Sequence, residues 1–496
     1  MTQNKDTKKE LLKYFKQHSF DDWFSKYYGG LFAPTFVQGY LAIVKANARP
    51  DWAMPHGLLF QNWTGEREFN WFWKVSEMLA SREKLFSGLE RDLDFGERFV
   101  SEYEAGFKEF DRAAREENRI KLEDLSNEAI VEHLLNIIEQ AGKQGIGYIV
   151  DCLLTNSAET DWYSEYGRKF SGRDLSEDEL NILHAPVKTS FVNQVEILKL
   201  QAACQKEKNK DADKIFEQLV RNYYWVENNY LKIESKTRQN FIDEVEKIND
   251  PCGRLVIEQE RLARNLKVKK DLLDKIKASA LMRAFVKLAD DFAFIQDSRK
   301  QCVLRLNHFI FKYYNELARR LKFDPKLIFY IIHFELEDFL KNPAAFRSLV
   351  KERQAGCLVV LEIDRWAIFP RDELAGIDLS NFFKDYSKIT EARGTPACAG
   401  KVRGEAKVIL GSDQFGQFKK GDILITNQTT PDFMPLFKKA GAVIAEQGGI
   451  TSHAAVVSRE LGITCIVGVK DAMAIFKGGG KVEVDAEQGI VRKLSK

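Results

Sequence analysis

Proline is scarce in this 496-residue sequence, which holds only 11 prolines and 31 glycines. A chain so poor in turn residues is expected to form long uninterrupted elements, helices above all. It also lacks any C-x-x-C pair: Cys152, Cys204, Cys252, Cys302, Cys357, Cys398 and Cys465 stand singly. That dispersal excludes a structural zinc site and a disulfide scaffold, and predicts free thiols in a reducing cytosol. Excess charge is missing too, with 75 Lys+Arg against 73 Asp+Glu and a formal net charge of +2. No global electrostatic footprint for nucleic acid or an anionic membrane follows from such a balance. The longest largely apolar run, Leu327 to Phe334, is too short to span a bilayer and meets Glu335 at once. Met1–Phe20 carries lysines without an apolar core, so a secretory leader is not expected there. A cytoplasmic protein with neither nucleic-acid nor membrane partners is the expectation.

What is present is core material. Hydrophobic residues make up 44% of the chain, with 35 Phe and 8 Trp. The length suggests roughly three domains of about 150 residues. Two textures divide it, and the fold class expected is multidomain: a large, mostly α-helical N-terminal region followed by an α/β domain. Over residues 1–388 apolar positions recur every three or four, as in Ile130–Ala141, Lys210–Tyr224, Asn240–Ile248 and Arg254–Lys277. Leu272, Leu273, Ile276, Ala280, Leu281 and Phe285 read as one such stripe, and Asp290–Lys322 with Pro325–Lys341 as a closing helical pair. A candidate seam lies near residue 250. Over residues 389–496 short β-branched runs alternate with helical stretches at Pro431–Ala440 and His453–Leu461.

Chemistry concentrates in one segment, Gly448-Gly449-Ile450-Thr451-Ser452-His453-Ala454-Ala455, which runs on through Arg459 to Gly462. It follows a predicted strand and opens a predicted helix. Gly448 and Gly449 permit a tight turn and close approach of a ligand to the backbone. Thr451 and Ser452 are candidate N-caps whose hydroxyls can also meet an anion. His453 then stands on the first helical turn, where free N–H groups and the helix dipole favour phosphate. Arg459 is a candidate to neutralise added charge. A neutral imidazole nitrogen is nucleophilic near pH 7, and a P–N bond stays reactive enough to hand the group on. An isolated Gly-Gly-x-x-x-His, by contrast, is more often an ordinary helix start.

The surroundings of that segment carry more. Gly394–Gly404, Gly421–Thr426, Thr429–Pro435, Gly449–Gly462 and Val482–Asp485 with Gly489 follow one another in an order that resembles the swivelling phosphohistidine domain of the phosphoenolpyruvate-utilising enzymes. The resemblance implies that His453 is the phosphoryl carrier, with Gly448, Gly449, Thr451, Ser452 and Arg459 around the phosphate. Thr464 and Ala486 depart from the family, which usually has proline and glycine there. Members of this family also use an ATP-grasp domain, and some a phosphoenolpyruvate-binding barrel, and neither is recognisable in this sequence. Gly478-Gly479-Gly480-Lys481 lacks the spacing of a phosphate-binding Walker loop. The resemblance therefore implies a partner protein that binds ATP and Mg2+, with no cofactor or metal held by this chain.

A small-molecule acceptor is expected in the helical region. Arg299, Lys300 and Arg305 are candidate contacts, although solvated surface is the plainer reading. Tyr224, Trp225 and Asn229 form a second candidate group, with core packing as its plain alternative. His18, His133, His184, His308 and His333 lack metal-ligand spacing, and Lys267–Lys277 reads as a solvated helix face. Three readings stand: a phosphotransferase component fed by an ATP-grasp partner, a component using phosphoenolpyruvate through a partner, and a non-catalytic binding or regulatory protein.

Overall fold

Short polar side chains start many of the helices in the first compact unit, Met1–Ile377. Ser126, Ser190, Asp250 and Ser279 each accept a backbone N–H three residues on, and Ser176 with Glu179 forms a reciprocal capping box. The structure, a computed structural model, describes residues 9–10, 23–29, 31–45, 57–62, 68–145, 147–148, 150, 162–228, 233–362, 365–374, 386–429, 433–449 and 452–494. Helices α1 (Phe32–Tyr40), α2 (Val75–Arg91), α3 (Phe95–Glu117), α4 (Asn127–Gly142), α5 (Trp162–Ser171) and α6 (Glu177–His184) come first. Then follow α7 (Phe191–Glu207), α8 (Asp213–Tyr223), α9 (Arg238–Val245) and α10 (Pro251–Lys275). The spine is α11 (Ala280–Leu321), 42 residues and about 63 Å long. After it come the shorter α12 (Leu336–Lys341) and α13 (Phe346–Gln354).

Helices α3, α4, α5 and α7 pack on this spine. Phe285, Phe292, Phe309 and Tyr313 of α11 join Phe99, Phe110, Leu134 and Ile138 in the principal core. Each large apolar side chain removed from water there contributes about 1.5–3 kcal/mol. A second core gathers Phe191, Phe216, Leu219, Trp225 and Phe241 from α7, α8, α9 and the turn after α8. One buried ion pair braces the end of the unit. Arg353 donates to both carboxylate oxygens of Glu335, at 2.7 and 2.6 Å, and to the Tyr330 carbonyl at 2.7 Å.

Several expectations need correction in this unit. It is mostly helical, yet among the described residues it also holds a five-stranded antiparallel sheet. The strands β1 (Trp23–Gly29), β2 (Gly57–Asn62), β3 (Glu68–Lys74), β4 (Cys357–Glu362) and β5 (Trp366–Pro370) lie in the order β1-β3-β2-β4-β5. Strand β4 is buried along nearly its whole length, and such a run has no alternation to separate it from a helix. The apolar stripe from Leu272 to Phe285 belongs to two helices, because Lys277 turns at φ 50° and Ser279 caps a new one. The closing helical pair is also different: α11 already begins at Ala280, and 3-10 turns at Leu327–Tyr330 and His333–Glu335 precede α12. Lys269 is no solvated lysine but a buried one, 2.5 Å from Asp290. Cys204 and Cys252 are joined as a disulfide, with Cα atoms 5.0 Å apart, where the last turn of α7 meets the first turn of α10. Cys302, Cys357, Cys398 and Cys465 are free thiols, while Cys152 lies outside the described residues. Among those residues no helix is long and apolar enough to cross a membrane.

The second unit, Asp378–Lys496, carries β6 (Glu391–Arg393), β7 (Thr395–Cys398), β8 (Lys401–Val408), β9 (Ile423–Thr426), β10 (Ala442–Ala445), β11 (Thr464–Val467), β12 (Lys481–Asp485) and β13 (Ile490–Lys493). Their order is β6-β13-β12-β8-β9-β10-β11-β7. Strands β8 to β11 run parallel, and the remaining pairs are antiparallel. Short α14 (Met434–Phe437), α15 (His453–Leu461) and short α16 (Ala472–Ile475) complete the unit. Leu424, Val443, Ala455, Val457, Cys465 and Phe437 share its core, which seats α15 on the sheet. Thr464 and Ala486, the two departures from the family pattern, both meet Gly400: Ala486 N–H donates to its carbonyl at 2.9 Å. Thr464 Oγ1 lies only 2.2 Å from where a Cβ on Gly400 would stand.

Gly106 marks the closest approach of α3 to the chain leaving α4. A Cβ there would lie 2.2 Å from the Lys143 carbonyl oxygen. Alanine ordinarily gains about 1 kcal/mol over glycine inside a helix, but this clash costs more. Gly106→Ala is expected to destabilise the unit by about 1–3 kcal/mol, read from the denaturant midpoint of its fluorescence-monitored unfolding. An unchanged or raised midpoint contradicts this packing.

Candidate active site

Strand register builds the site. β9 pairs with β10 so that Ile423 faces Ala442 and Thr426 faces Ala445. The pairing continues beyond the strands: Glu446 N–H donates to the Thr426 carbonyl at 2.9 Å and Gln447 N–H to the Asn427 carbonyl at 2.8 Å. Two loops therefore leave the carboxyl edge of the sheet side by side, one reaching Thr429 and the other the Gly448 turn. That edge is where open parallel sheets present their ligand sites.

Gly448 has φ +103°, and a Cβ on it would lie 2.6 Å from Ser452 Cβ. Only glycine fits such a turn without displacing the helix start. Gly449 is exposed, and its carbonyl accepts the Ser452 N–H at 2.9 Å. Ser452 is the N-cap of α15, its hydroxyl accepting the Ala455 N–H. Thr451 lies outside the described residues. The helix ends on Gly462 at φ 65°, where Ile463 N–H returns to the Ser458 carbonyl at 2.9 Å.

His453 is the first residue of α15 and is half-buried. Ala454 and Ala455, which follow it, are buried, and the Phe437 ring stands edge-on to the imidazole at 6.1 Å. Its Nδ1 is 2.8 Å from Oγ1 of the buried Thr429. When Thr429 accepts the Nδ1 proton, the lone pair of the neutral ring resides on Nε2. In that tautomer the site sets an imidazole with its lone pair on Nε2 at the amide-rich end of a helix, the pairing that phosphoryl transfer needs. Arg459 is exposed in the last turn, about 240° around the axis from His453 and about 9 Å along it.

Two residues of this site had no role assigned from the sequence. Thr429 sits on a neighbouring strand's loop, so only the β9–β10 register shows where it goes. Glu446 ends β10 just before the turn and accepts the Met473 N–H at 3.0 Å. Burial, opposed by that N–H and reinforced by Asp471, pushes its carboxyl up to about 7.

The acceptor candidates divide differently. Tyr224, Trp225 and Arg305 line a single cavity of about 240 Å³ in the helical unit. Arg299 is buried elsewhere, with its guanidinium 5.4 Å from the Tyr148 ring centre, and Lys300 is exposed. Neither arginine is solvated surface. Asn229 lies outside the described residues.

Residues 418–489 match the family described as PEP-utilising enzyme, mobile domain. The probable phosphoenolpyruvate synthase of Staphylothermus marinus is 43% identical over 132 residues, which are 25% of this chain and 16% of that protein. Its counterpart in Archaeoglobus fulgidus is 46% identical over 99 residues, 20% of this chain and 13% of that protein. The phosphoenolpyruvate synthase of Pyrococcus furiosus is 46% identical over 101 residues, 20% and 12% of the two chains. Each alignment spans less than a fifth of the relative's own length. A solved chain, aconitase X of Thermococcus kodakaraensis in its holo-form, is 21% identical over 21% of this chain and 98% of that chain; its TM-score of 0.17 is too low to carry an argument. The C-terminal unit therefore holds a mobile phosphohistidine domain of the PEP-utilising kind. Its particular likeness is to the domain found in phosphoenolpyruvate synthases.

Thr429→Val is expected to move the neutral His453 proton from Nδ1 to Nε2, seen in the 15N shifts of the ring at alkaline pH. Phosphorylation should slow by about tenfold, for a lost hydrogen bond of about 1–1.5 kcal/mol. An unchanged tautomer contradicts the role given to Thr429. Glu446 binds its proton more tightly folded than unfolded, so its contribution to stability falls as pH rises from 4.5 through about 7. Relative to wild type, Glu446→Gln should gain stability across that window, by at most about 3 kcal/mol. A difference that does not change with pH contradicts the assignment.

Proposed function

We propose that this chain is the phosphohistidine-bearing component of a phosphotransferase. His453 takes a phosphoryl group from a separate ATP-grasp protein, which binds ATP and Mg2+, and delivers it to a small-molecule acceptor held by the helical unit. The observation that carries this reading is the 2.8 Å contact between Thr429 Oγ1 and His453 Nδ1 at the start of α15. It supports Nε2 as the nucleophile and the helix amides as partners of the incoming phosphate.

On loading, the donor P–O bond breaks with its electron pair leaving on the donor oxygen, and a P–Nε2 bond forms. Nδ1 keeps its proton against Thr429 and shares the positive charge of the ring. On unloading, an acceptor hydroxyl oxygen bonds to phosphorus, Nε2 leaves with the P–N electron pair, and the hydroxyl proton passes to solvent. The ring returns neutral, ready for another cycle. A second reading makes phosphoenolpyruvate the donor or the product, through a partner carrying the barrel. The names of the relatives favour it. A purely regulatory role fits less well, since the histidine, its glycine turn and its cap are all retained.

The purified chain should acquire acid-labile phosphate on His453 from ATP only when an ATP-grasp protein is added, and His453→Asn should lose all of it. Label from phosphoenolpyruvate instead would favour the second reading. Absence of label from either donor, with or without a partner, contradicts the carrier role.

A further inference from the structure

The helical unit contains a cavity to which no ligand has been assigned. It opens where α3, the start of α7, the end of α8 and the middle of α11 converge, and its volume is about 240 Å³. Phe107, Phe191, Phe294 and the turn Tyr223–Trp225 supply aromatic walls. Hydrogen bonds hold two of those rings: Tyr223 donates to Gln194 Oε1 at 2.7 Å and Tyr224 to Asn118 Oδ1 at 2.9 Å. Such walls with a few fixed polar groups are the usual make-up of a small-molecule site.

Its charge is unbalanced. Arg305, almost fully buried, donates to Asp111 Oδ1 at 2.7 Å, and Arg115 lies 3.0 Å from the other oxygen of the same carboxylate. One negative charge thus serves two guanidiniums. Arg221, exposed on the lining, has no carboxylate partner among the described residues. Burial pushes the Asp297 carboxyl above its ordinary range, although the Phe191 N–H and Lys300 oppose it. Outside, Lys108, Arg112 and Arg115 follow one another at spacings of four and three along one face of α3, and Arg119 stands in the turn just past its end. They border a shallower depression that shares Phe107, Asp111 and Arg115 with the cavity, and among the described residues Asp111 and Glu116 are its acidic lining. A cationic approach of this kind raises the local concentration of anions.

We infer that this cavity binds a compact planar anion, a single aromatic ring bearing a carboxylate, with Arg221 and Arg115 taking the carboxylate and the aromatic walls taking the ring. Its identification as the phosphoryl acceptor, and the requirement that the ring also bear a hydroxyl, rest on the carrier role proposed for His453.

Calorimetry on the full unphosphorylated chain tests this with 3-hydroxybenzoate, neutral 3-hydroxybenzyl alcohol and inorganic phosphate as probes. The hydroxybenzoate should bind better than either of the others. Arg221→Gln should weaken it about tenfold. Gln301→Trp, which fills the cavity from α11, should abolish binding, and His453→Asn should leave it unchanged. Equal binding of the neutral alcohol, full affinity in Arg221→Gln or Gln301→Trp, or no binding at millimolar concentration overturns the site. Binding in a chain whose His453 takes no label would retain the site and sink the carrier reading. Label without binding would do the reverse.

Discussion

Pairing between two short parallel strands governs the geometry of the candidate site. β9 and β10 are separated in sequence by the α14 segment, yet their register carries two loops off the same sheet edge in step. One loop brings a hydroxyl and the other an imidazole, and they meet at hydrogen-bond distance. A one-residue slip in such a pair would send every side chain to the opposite face, and Thr429 would no longer find the ring. Burial on both faces protects the register, since β9, β10 and β11 are buried throughout. Core packing and the Thr429 partner of one imidazole nitrogen are thus a single constraint.

The helical unit applies different physics. Its spine is one helix whose apolar faces organise the principal core, while polar groups inside are pinned in pairs, Arg353 with Glu335 and Lys269 with Asp290. Pairs of this kind cost desolvation and add little net stability, but removing one partner strands the other. Around the cavity the pairing is incomplete: two arginines share Asp111, and a third stands at the lining with no carboxylate partner among the described residues. Unbalanced charge beside aromatic walls distinguishes that place from the rest of the unit.

How much of this was legible in the sequence follows from the range of the interactions involved. The strand and helix alternation after residue 400 is local, and the runs at Lys481–Asp485 and Ile490–Lys493 coincide with β12 and β13. The Gly448 turn, the Ser452 cap and His453 lie within a few residues of one another, so their arrangement could be read directly. Thr429 stands 24 residues from His453, and nothing local assigns it to the ring. The N-terminal sheet was hidden for the same reason, because β2 finds β4 across the whole helical region. The Cys204–Cys252 bond, spanning 48 residues, depends on how α7 meets α10 and leaves no spacing signal. Arg305 and Trp225 were singled out by residue type, but only the packing of four elements shows that they share a cavity.

The central claim is that Nε2 of His453 carries the phosphoryl group while Nδ1 stays against Thr429. Treating the 15N-histidine-labelled chain with phosphoramidate, a small phosphoryl donor that needs no partner, would test it directly. The 15N–31P coupling of the product should then appear on Nε2 of His453. Coupling on Nδ1, or phosphate that accumulates on other histidines and leaves His453 unmodified, would contradict it.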